Sequence, residues 1–257
     1  TPTIYVGLQL ILPGEVAPAH RHTPTAVRFV IEGEGGYTTV NGEKCPMHKG
    51  DLILTPALNW HEHGHEGSGP VIWMDALDLP MIYAMEASYA IEGPSQPVRP
   101  EADASQNKYR RAGLLPYASL GRAQRADYPQ IRYPWVDVRQ ALAALATVTP
   151  KDEAVQLAYV NPETGRPCLP TLGFSAMQLR AGQDLALRKR SASGVIHVIE
   201  GRGESEIDGV TLQWTEGDTL TIPTHAQVRH RAMGNDAYLF HVDDAPMQRA
   251  LGIYEDF

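Results

Sequence analysis

Short runs of β-branched and aromatic residues recur along the first third of the chain, at residues 3–12, 27–32, 36–40, 52–55 and 71–77. Pro-Gly, Glu-Gly, Asn-Gly and Lys-Gly-Asp turn signals separate them, at the spacing of roughly eight to twelve residues that sandwiches and barrels use. Each run therefore predicts a short strand. Asn41-Gly42 predicts a type I′ hairpin, because both central positions of that turn need positive φ and this pair tolerates it. From residue 80 to 134 the pattern lapses into Pro, Ser, Gln and Arg with little periodicity. Val136 to Thr147 (VDVRQALAALAT) then spaces its apolar residues for an amphipathic helix.

The pattern of the first part returns in the last. Gly14 matches Gly182, His20 matches Arg188, His22 matches Arg190 and Gly33 matches Gly201, all 168 apart. Asn41-Gly42 matches Asp208-Gly209, Gly50-Asp51 matches Gly217-Asp218 and Pro56 matches Pro223, all 167 apart. Self-similarity at a fixed offset is the signature of a duplicated domain. The expected organisation is a β domain at 1–80, a connector at 81–150 that ends in the helix, and a second copy at 151–257. The chain opens at Thr1 directly in a strand-like run, which raises the expectation of a preceding segment.

Composition narrows the function. The 257 residues carry 30 acidic and 22 basic side chains, a formal charge of -8, and no Lys/Arg run, so a nucleic-acid or anionic-membrane partner is not expected. The longest apolar stretches, such as Val6 to Leu12, are too short to span a bilayer as a helix. Two cysteines, Cys45 and Cys168, make no disulfide framework and no zinc-type spacing, which suits a reducing compartment and makes the cytoplasm the expected location.

Six of the ten histidines lie between residues 20 and 65. His20 and His22 are two apart in a strand-like context, so their imidazoles share one face of a sheet. His61 follows a strand and Pro56. If the sheet closes into a small barrel, the three converge, and three convergent imidazoles form a transition-metal site. Zinc with a water would also suit three histidines, so a non-oxidative metal-binding role stays open.

Gly14-x5-His20-x-His22-x3-Ala26-x6-Gly33, followed by Gly50-x5-Pro56-x4-His61, resembles the two motif blocks of the cupin superfamily. The resemblance covers both halves and implies an all-β fold: two cupin jelly-roll barrels joined by a connector with short helices. Within the cupins, AHRHTPTAVRFVIEGEG, NGEKCPMHKGDLILTPALNWHEHGHE and PVIWMDALD are similar to the ring-cleaving gentisate 1,2-dioxygenase group, with its salicylate and 1-hydroxy-2-naphthoate dioxygenases. Ala26 stands where most cupins place a glutamate, and its absence matches that group. The resemblance implies one Fe(II) per chain, a small aromatic hydroxy acid and O2 as substrates, and a homotetramer. For gentisate, the implied cleavage lies between the carboxyl- and hydroxyl-bearing carbons and gives maleylpyruvate. Three protein ligands on an octahedral iron leave three positions, which is what a bidentate ortho-hydroxybenzoate plus O2 requires. The resemblance also implies substrate contacts at Gln9, Arg28, His63 and Asp75.

The residues support some of these contacts independently. Arg28 has the parity of His20 and His22 in an apolar run and is expected to point inward as a fork for an anion, against the alternative of a side chain snorkelling to the rim. His63 shares the face of His61 and suits proton handling, although His230 recurs 167 residues on, which also fits a structural role. Gln9 is the sole polar residue in Val6 to Leu12, and its counterpart is Met177, so a buried amide is expected there. Tyr5, Trp60 and Trp73 are candidate pocket walls. His48 and His65 are expected to be solvated. In the second copy Arg188, Arg190 and Val228 fall where His20, His22 and His61 stand, which predicts a barrel without a metal; an anion-binding role for the two arginines is the sharper alternative.

Overall fold

The computed structural model describes residues 1–119 and 128–257. Two compact units emerge: Tyr5–Asp137 with Val160–Cys168, and Thr1–Ile4 with Val138–Tyr159 and Leu169–Phe257. The first holds β1 (Tyr5–Ile11), β2 (Val16–His22), β3 (Ala26–Glu32), β4 (Gly36–Val40), β5 (Glu43–Met47), β6 (Leu52–Thr55), β7 (His61–His65), β8 (Val71–Leu77), β9 (Ala90–Glu92) and β10 (Arg132–Tyr133). Its strands form two sheets, ordered β1-β8-β3-β6-β10 and β5-β4-β7-β2-β9. Helices α1 (Leu79–Ala84), α2 (Ala104–Tyr109) and α3 (Trp135–Ala146) lie beyond the eighth strand in sequence.

The second unit holds β11 (Val155–Ala158), β12 (Gly173–Leu179), β13 (Arg188–Lys189), β14 (Gly194–Glu200), β15 (Arg202–Ile207), β16 (Val210–Thr215), β17 (Thr219–Ile222), β18 (Gln227–Ala232), β19 (Ala237–Asp243) and α4 (Ala245–Leu251). Its sheets run β11-β12-β19-β14-β17 and β13-β18-β15-β16. Under the repeat, β12-β19-β14-β17 reproduces β1-β8-β3-β6, and β13-β18-β15-β16 reproduces β2-β7-β4-β5. The chain is thus a duplicated all-β protein of the cupin kind, with few and short helices.

Local chemistry explains why both copies turn alike. Asn41 and Gly42 take φ of 46° and 84°, and Asp208 and Gly209 take 47° and 80°, the positive pair that a type I′ hairpin demands. A register shift falls between Val30 and Glu32 in β3 and again between Val198 and Glu200 in β14. Gly33 follows the first with φ 96°, and a Cβ there would lie 2.2 Å from the Pro70 carbonyl oxygen, so no other residue fits without backbone movement.

The 81–150 segment does more than connect. β9 pairs with the histidine-bearing β2, His20 opposite Glu92 and His22 opposite Ala90, while β10 pairs with β6. Strands of three and two residues carry no readable period, which is why the sequence pattern lapses there. Helix α3 starts one residue earlier than its periodicity predicts, because the Asp51 carboxylate accepts the Trp135 N–H at 2.9 Å and so fixes its first turn. The same carboxylate takes Arg132 Nε at 2.8 Å, which ties β10 to the turn before β6. Ile11, Val30, Val40, Met47, Ile53, Val71 and Trp73 form the first unit's apolar core, and Leu179, Ile196, Val198, Trp214 and Leu239 lie in that of the second.

Candidate metal centre

β2 and β7 are antiparallel neighbours with His20 directly opposite His61, so both rings leave the sheet on one side, and His22 joins them two residues on. Ring centroids are 4.3 Å apart for His20–His61 and 4.8 Å for His22–His61. The three histidines each offer a nitrogen within 4.8 Å of the others. His61 is buried, and His20 and His22 are half-buried.

Each ring is oriented by the backbone two residues away. Nδ1 of His20 meets the Pro18 carbonyl at 2.8 Å, that of His22 the Pro24 carbonyl at 2.7 Å, and that of His61 the Asn59 carbonyl at 2.9 Å. A carbonyl only accepts, so each Nδ1 carries the proton and each Nε2 keeps its lone pair for a ligand. His61 Nε2 is buried with no hydrogen-bond partner among the described residues, a costly arrangement unless something binds it. Burial, reinforced by the Arg28 charge, pushes His61 down to about 2, and burial likewise lowers His22. At neutral pH His22 and His61 are therefore neutral imidazoles, the form that ligates. The donor set fits a divalent transition metal.

Arg28 reaches the same space from β3. It is 4% exposed, so the inward placement holds and the rim alternative falls. Thr55 spends its hydroxyl proton on the Ala26 carbonyl at 3.1 Å and accepts from Arg28 Nη1 at 2.6 Å. Asp75 stands opposite Arg28 on β8, with its Oδ1 3.5 Å from Nε and accepting from Trp73 Nε1 at 3.0 Å. Burial raises the Asp75 carboxyl and lowers the Arg28 guanidinium, and each charge partly restores the other. Their pairing offsets part of the cost of burying each charge.

His63 is buried two residues past His61, its ring centroid 5.8 Å from that of His61 and 5.5 Å from Trp73. Nδ1 lies 2.9 Å from Thr38 Oγ1, and the Thr38 hydroxyl is 3.6 Å from Met47 Sδ. A hydroxyl proton directed at the sulfur leaves Thr38 to accept from Nδ1–H, so His63 Nε2 presents a lone pair. That Nε2 is buried without a partner among the described residues. Desolvation first, then Arg28 and the other histidines, hold His63 well below its ordinary value.

Two expectations need correction. Gln9 lies opposite Trp73, on the face of Arg28 and Asp75, but its amide is exposed: β1 is the edge strand, so only β8 flanks it. His65 is 4% exposed, because the 66–69 turn folds back on it; Nδ1 accepts the Gly67 N–H at 2.8 Å and Nε2 contacts the Gly69 carbonyl. His48 is half-exposed as expected. Of the candidate walls, Trp73 is buried beside the site, Tyr5 is exposed, and Trp60 lies under the Arg21 guanidinium. Thr38 and Thr55, which orient His63 and Arg28, escape the sequence reading. The signal for Thr38 was present, since Ser205 repeats its hydroxyl 167 residues on and meets His230 Nδ1 at 2.7 Å.

A duplicated jelly roll with three inward imidazoles in its first copy defines a bicupin metal site. A cupin-domain profile matches residues 7–77. Over 256 residues the chain is 50% identical to a gentisate 1,2-dioxygenase of Ralstonia sp, covering 98% of this chain and 71% of that protein. It is 39% identical to a 5-aminosalicylate 1,2-dioxygenase of Comamonas sp, covering 99% and 68%. The crystal structure of salicylate 1,2-dioxygenase from Pseudaminobacter salicylatoxidans superposes with a TM-score of 0.92 at 32% identity, covering 100% of this chain and 75% of that one. That enzyme has also been solved as adducts with gentisate, with a TM-score of 0.91. The chain belongs to the gentisate 1,2-dioxygenase family and is a dioxygenase of the cupin fold. No helix among the described residues is long and apolar enough to cross a membrane.

Proposed function

We propose that this protein is an Fe(II)-dependent dioxygenase that opens the ring of gentisate between the carboxyl- and hydroxyl-bearing carbons, placing both atoms of O2 in maleylpyruvate. The observation that carries it is the set of three imidazoles with every Nδ1 tied to a carbonyl and His61 Nε2 left bare in the interior. His20, His22 and His61 would hold one iron per chain. When bound, ferrous iron supplies redox-active coordination positions for an ortho-hydroxy carboxylate and for O2. The chain's own residues do the rest. Arg28, fixed by Thr55 and Asp75, offers its remaining N–H groups to the substrate anion. His63 Nε2 accepts a proton from a ring hydroxyl. Asp75 acts through Arg28 rather than on the ring, and Gln9 meets substrate only if something further covers β1. Trp73 walls the pocket.

The same chemistry on salicylate or 1-hydroxy-2-naphthoate is the second reading, favoured by the TM-score of 0.92 to a salicylate dioxygenase. Oxygen uptake with all three acids, together with metal analysis of protein purified without added metal, tests both. Gentisate should give the highest kcat/KM with iron near one per chain. Zinc as purified, with no uptake after iron loading, would leave a non-oxidative bicupin. We also propose a homotetramer in the cytoplasm: Leu8, Leu10, Leu12 and Val16 expose an apolar stretch along β1 and beyond it, and neither cysteine is bridged. Light scattering that gives a monomer at micromolar concentration would refute the assembly.

A further inference from the structure

The second barrel keeps the frame of the metal centre and replaces its chemistry. Arg188 stands opposite Val228 across β13 and β18, the register that places His20 opposite His61 in the first barrel. Guanidinium nitrogens have no lone pair for a metal and stay charged, so this position repels a cation. The space is not filled in. A cavity of about 290 Å³ remains, with Met177, Ile196, Ile222, Val228 and Leu239 among its apolar walls and Arg188, Arg190 and Arg249 on its polar side.

The charge count favours an anion. His230 and His241 also line the cavity, but burial pushes them to about 4 and about 3, so both are neutral near pH 7. Arg188 Nη2 lies 3.4 Å from Asp256, and Arg190 Nη1 lies 3.5 Å from Asp243, single long contacts that leave most of each guanidinium's donors unspent. Three arginines against two carboxylates leave one positive charge. His241 is 5% exposed, and its Nε2 meets no hydrogen-bond partner among the described residues. An anionic group beside arginines, next to an apolar chamber with an unsatisfied ring nitrogen, describes a ligand with a charged head and an apolar body.

We propose that the second barrel is a binding site for a small aromatic monocarboxylate, its carboxylate held by Arg190 and Arg188 and its ring against Met177, Ile196 and Leu239. No metal-dependent turnover is expected there, because Arg188, Arg190 and Val228 stand at the three ligand positions. An inorganic anion would waste the apolar walls, and an uncharged aromatic would leave the excess positive charge of the arginines unmatched. Each chain would then hold two aromatic acids, one in each barrel.

Benzoate, which lacks the ortho hydroxyl, is the probe, and calorimetric titration of the full-length chain the assay. A His20→Ala/His22→Ala variant should still bind one benzoate per chain. Adding Arg188→Met and Arg190→Met to it should weaken that binding at least about tenfold, the value of a charge-assisted pair. Arg190 covers the buried Asp243, so the double change could harm folding. Arg188, with a side chain 68% exposed, is the safe single variant and should cost about threefold or more. Met177→Trp, which fills the chamber, should abolish the site while gentisate turnover persists. No benzoate bound after loss of the histidines, binding unmoved by Arg188→Met and Met177→Trp alike, or phosphate displacing benzoate at equal concentration would each overturn the proposal.

Discussion

Removing the Arg28 guanidinium separates what it does for the fold from what it does for the substrate. Arg28→Met deletes a hydrogen bond of 2.6 Å to Thr55 and leaves Asp75, a buried carboxylate, facing Trp73 Nε1 alone. Asp75 can then stay charged and unpaired, or take up a proton. Protonation at pH 7 of a group whose ordinary value is near 4 costs about 4 kcal/mol, which caps the penalty at the size known for broken buried pairs. The sign follows from the titration. With its value raised in the folded variant, Asp75 binds protons more tightly folded than unfolded, so the deficit is largest near pH 7 and shrinks as pH falls toward 4.

Arg28→Met/Asp75→Asn removes both charges and should recover most of that stability and flatten its pH dependence, as judged by urea unfolding. Activity should not recover. The lost donor to the substrate anion is worth about 1.5 to 3 kcal/mol, or roughly tenfold to a hundredfold and somewhat more in kcat/KM for gentisate by oxygen uptake. Arg28→Lys keeps the charge but not the planar fork, and should cost at least about tenfold. A double variant with both stability and kcat/KM at the starting values would refute the assignment, leaving Arg28 no role beyond neutralising Asp75.

His61→Ala should lose metal and turnover together, whereas His63→Ala should keep the metal and lose rate or affinity; metal content with the reverse pattern would show that the wrong histidine is the ligand. Thr38→Val, which removes the acceptor for His63 Nδ1–H, should lower kcat with metal content unchanged and shift the pH–rate profile; an unmoved profile would make Thr38 packing only. The metal-free protein should lose stability on acidification. His230 and His241 are held at about 4 and about 3 in the folded chain against an ordinary 6.5, so their contribution is complete above 6.5 and is lost as pH falls toward those values. Between pH 7 and 5 the pair removes about 4 kcal/mol, of which Asp243, raised by burial, returns part. Denaturation midpoints that stay level over that range would contradict their buried, neutral state.

The features that could be read ahead of the structure are those set by local geometry. A strand's period of two puts His20 and His22 on one face, a type I′ turn demands Asn41-Gly42, and duplication at a constant offset places Arg188 against Val228 as His20 stands against His61. What escaped depends on which distant segment covers a face. Arg28 and Gln9 share one face of one sheet, yet Arg28 is buried between β6 and β8 while Gln9, on the edge strand, is exposed; parity alone ranks them equally. His65 looked like a solvated turn residue because turns usually face water, but three small residues after Glu66 let the backbone fold onto its ring. The orienting partners are hidden for a related reason. The carbonyls of Pro18, Pro24 and Asn59 carry no residue-specific signal, and a threonine in a strand is unremarkable until its partner is known. Here the duplicated copy is the missing instrument: a hydroxyl at 38 and 205, each beside the histidine of its own barrel, has persisted where the metal ligands did not. The hydroxyl–histidine pair therefore belongs to the frame that both barrels share, whereas the three metal-ligating imidazoles belong to the first alone.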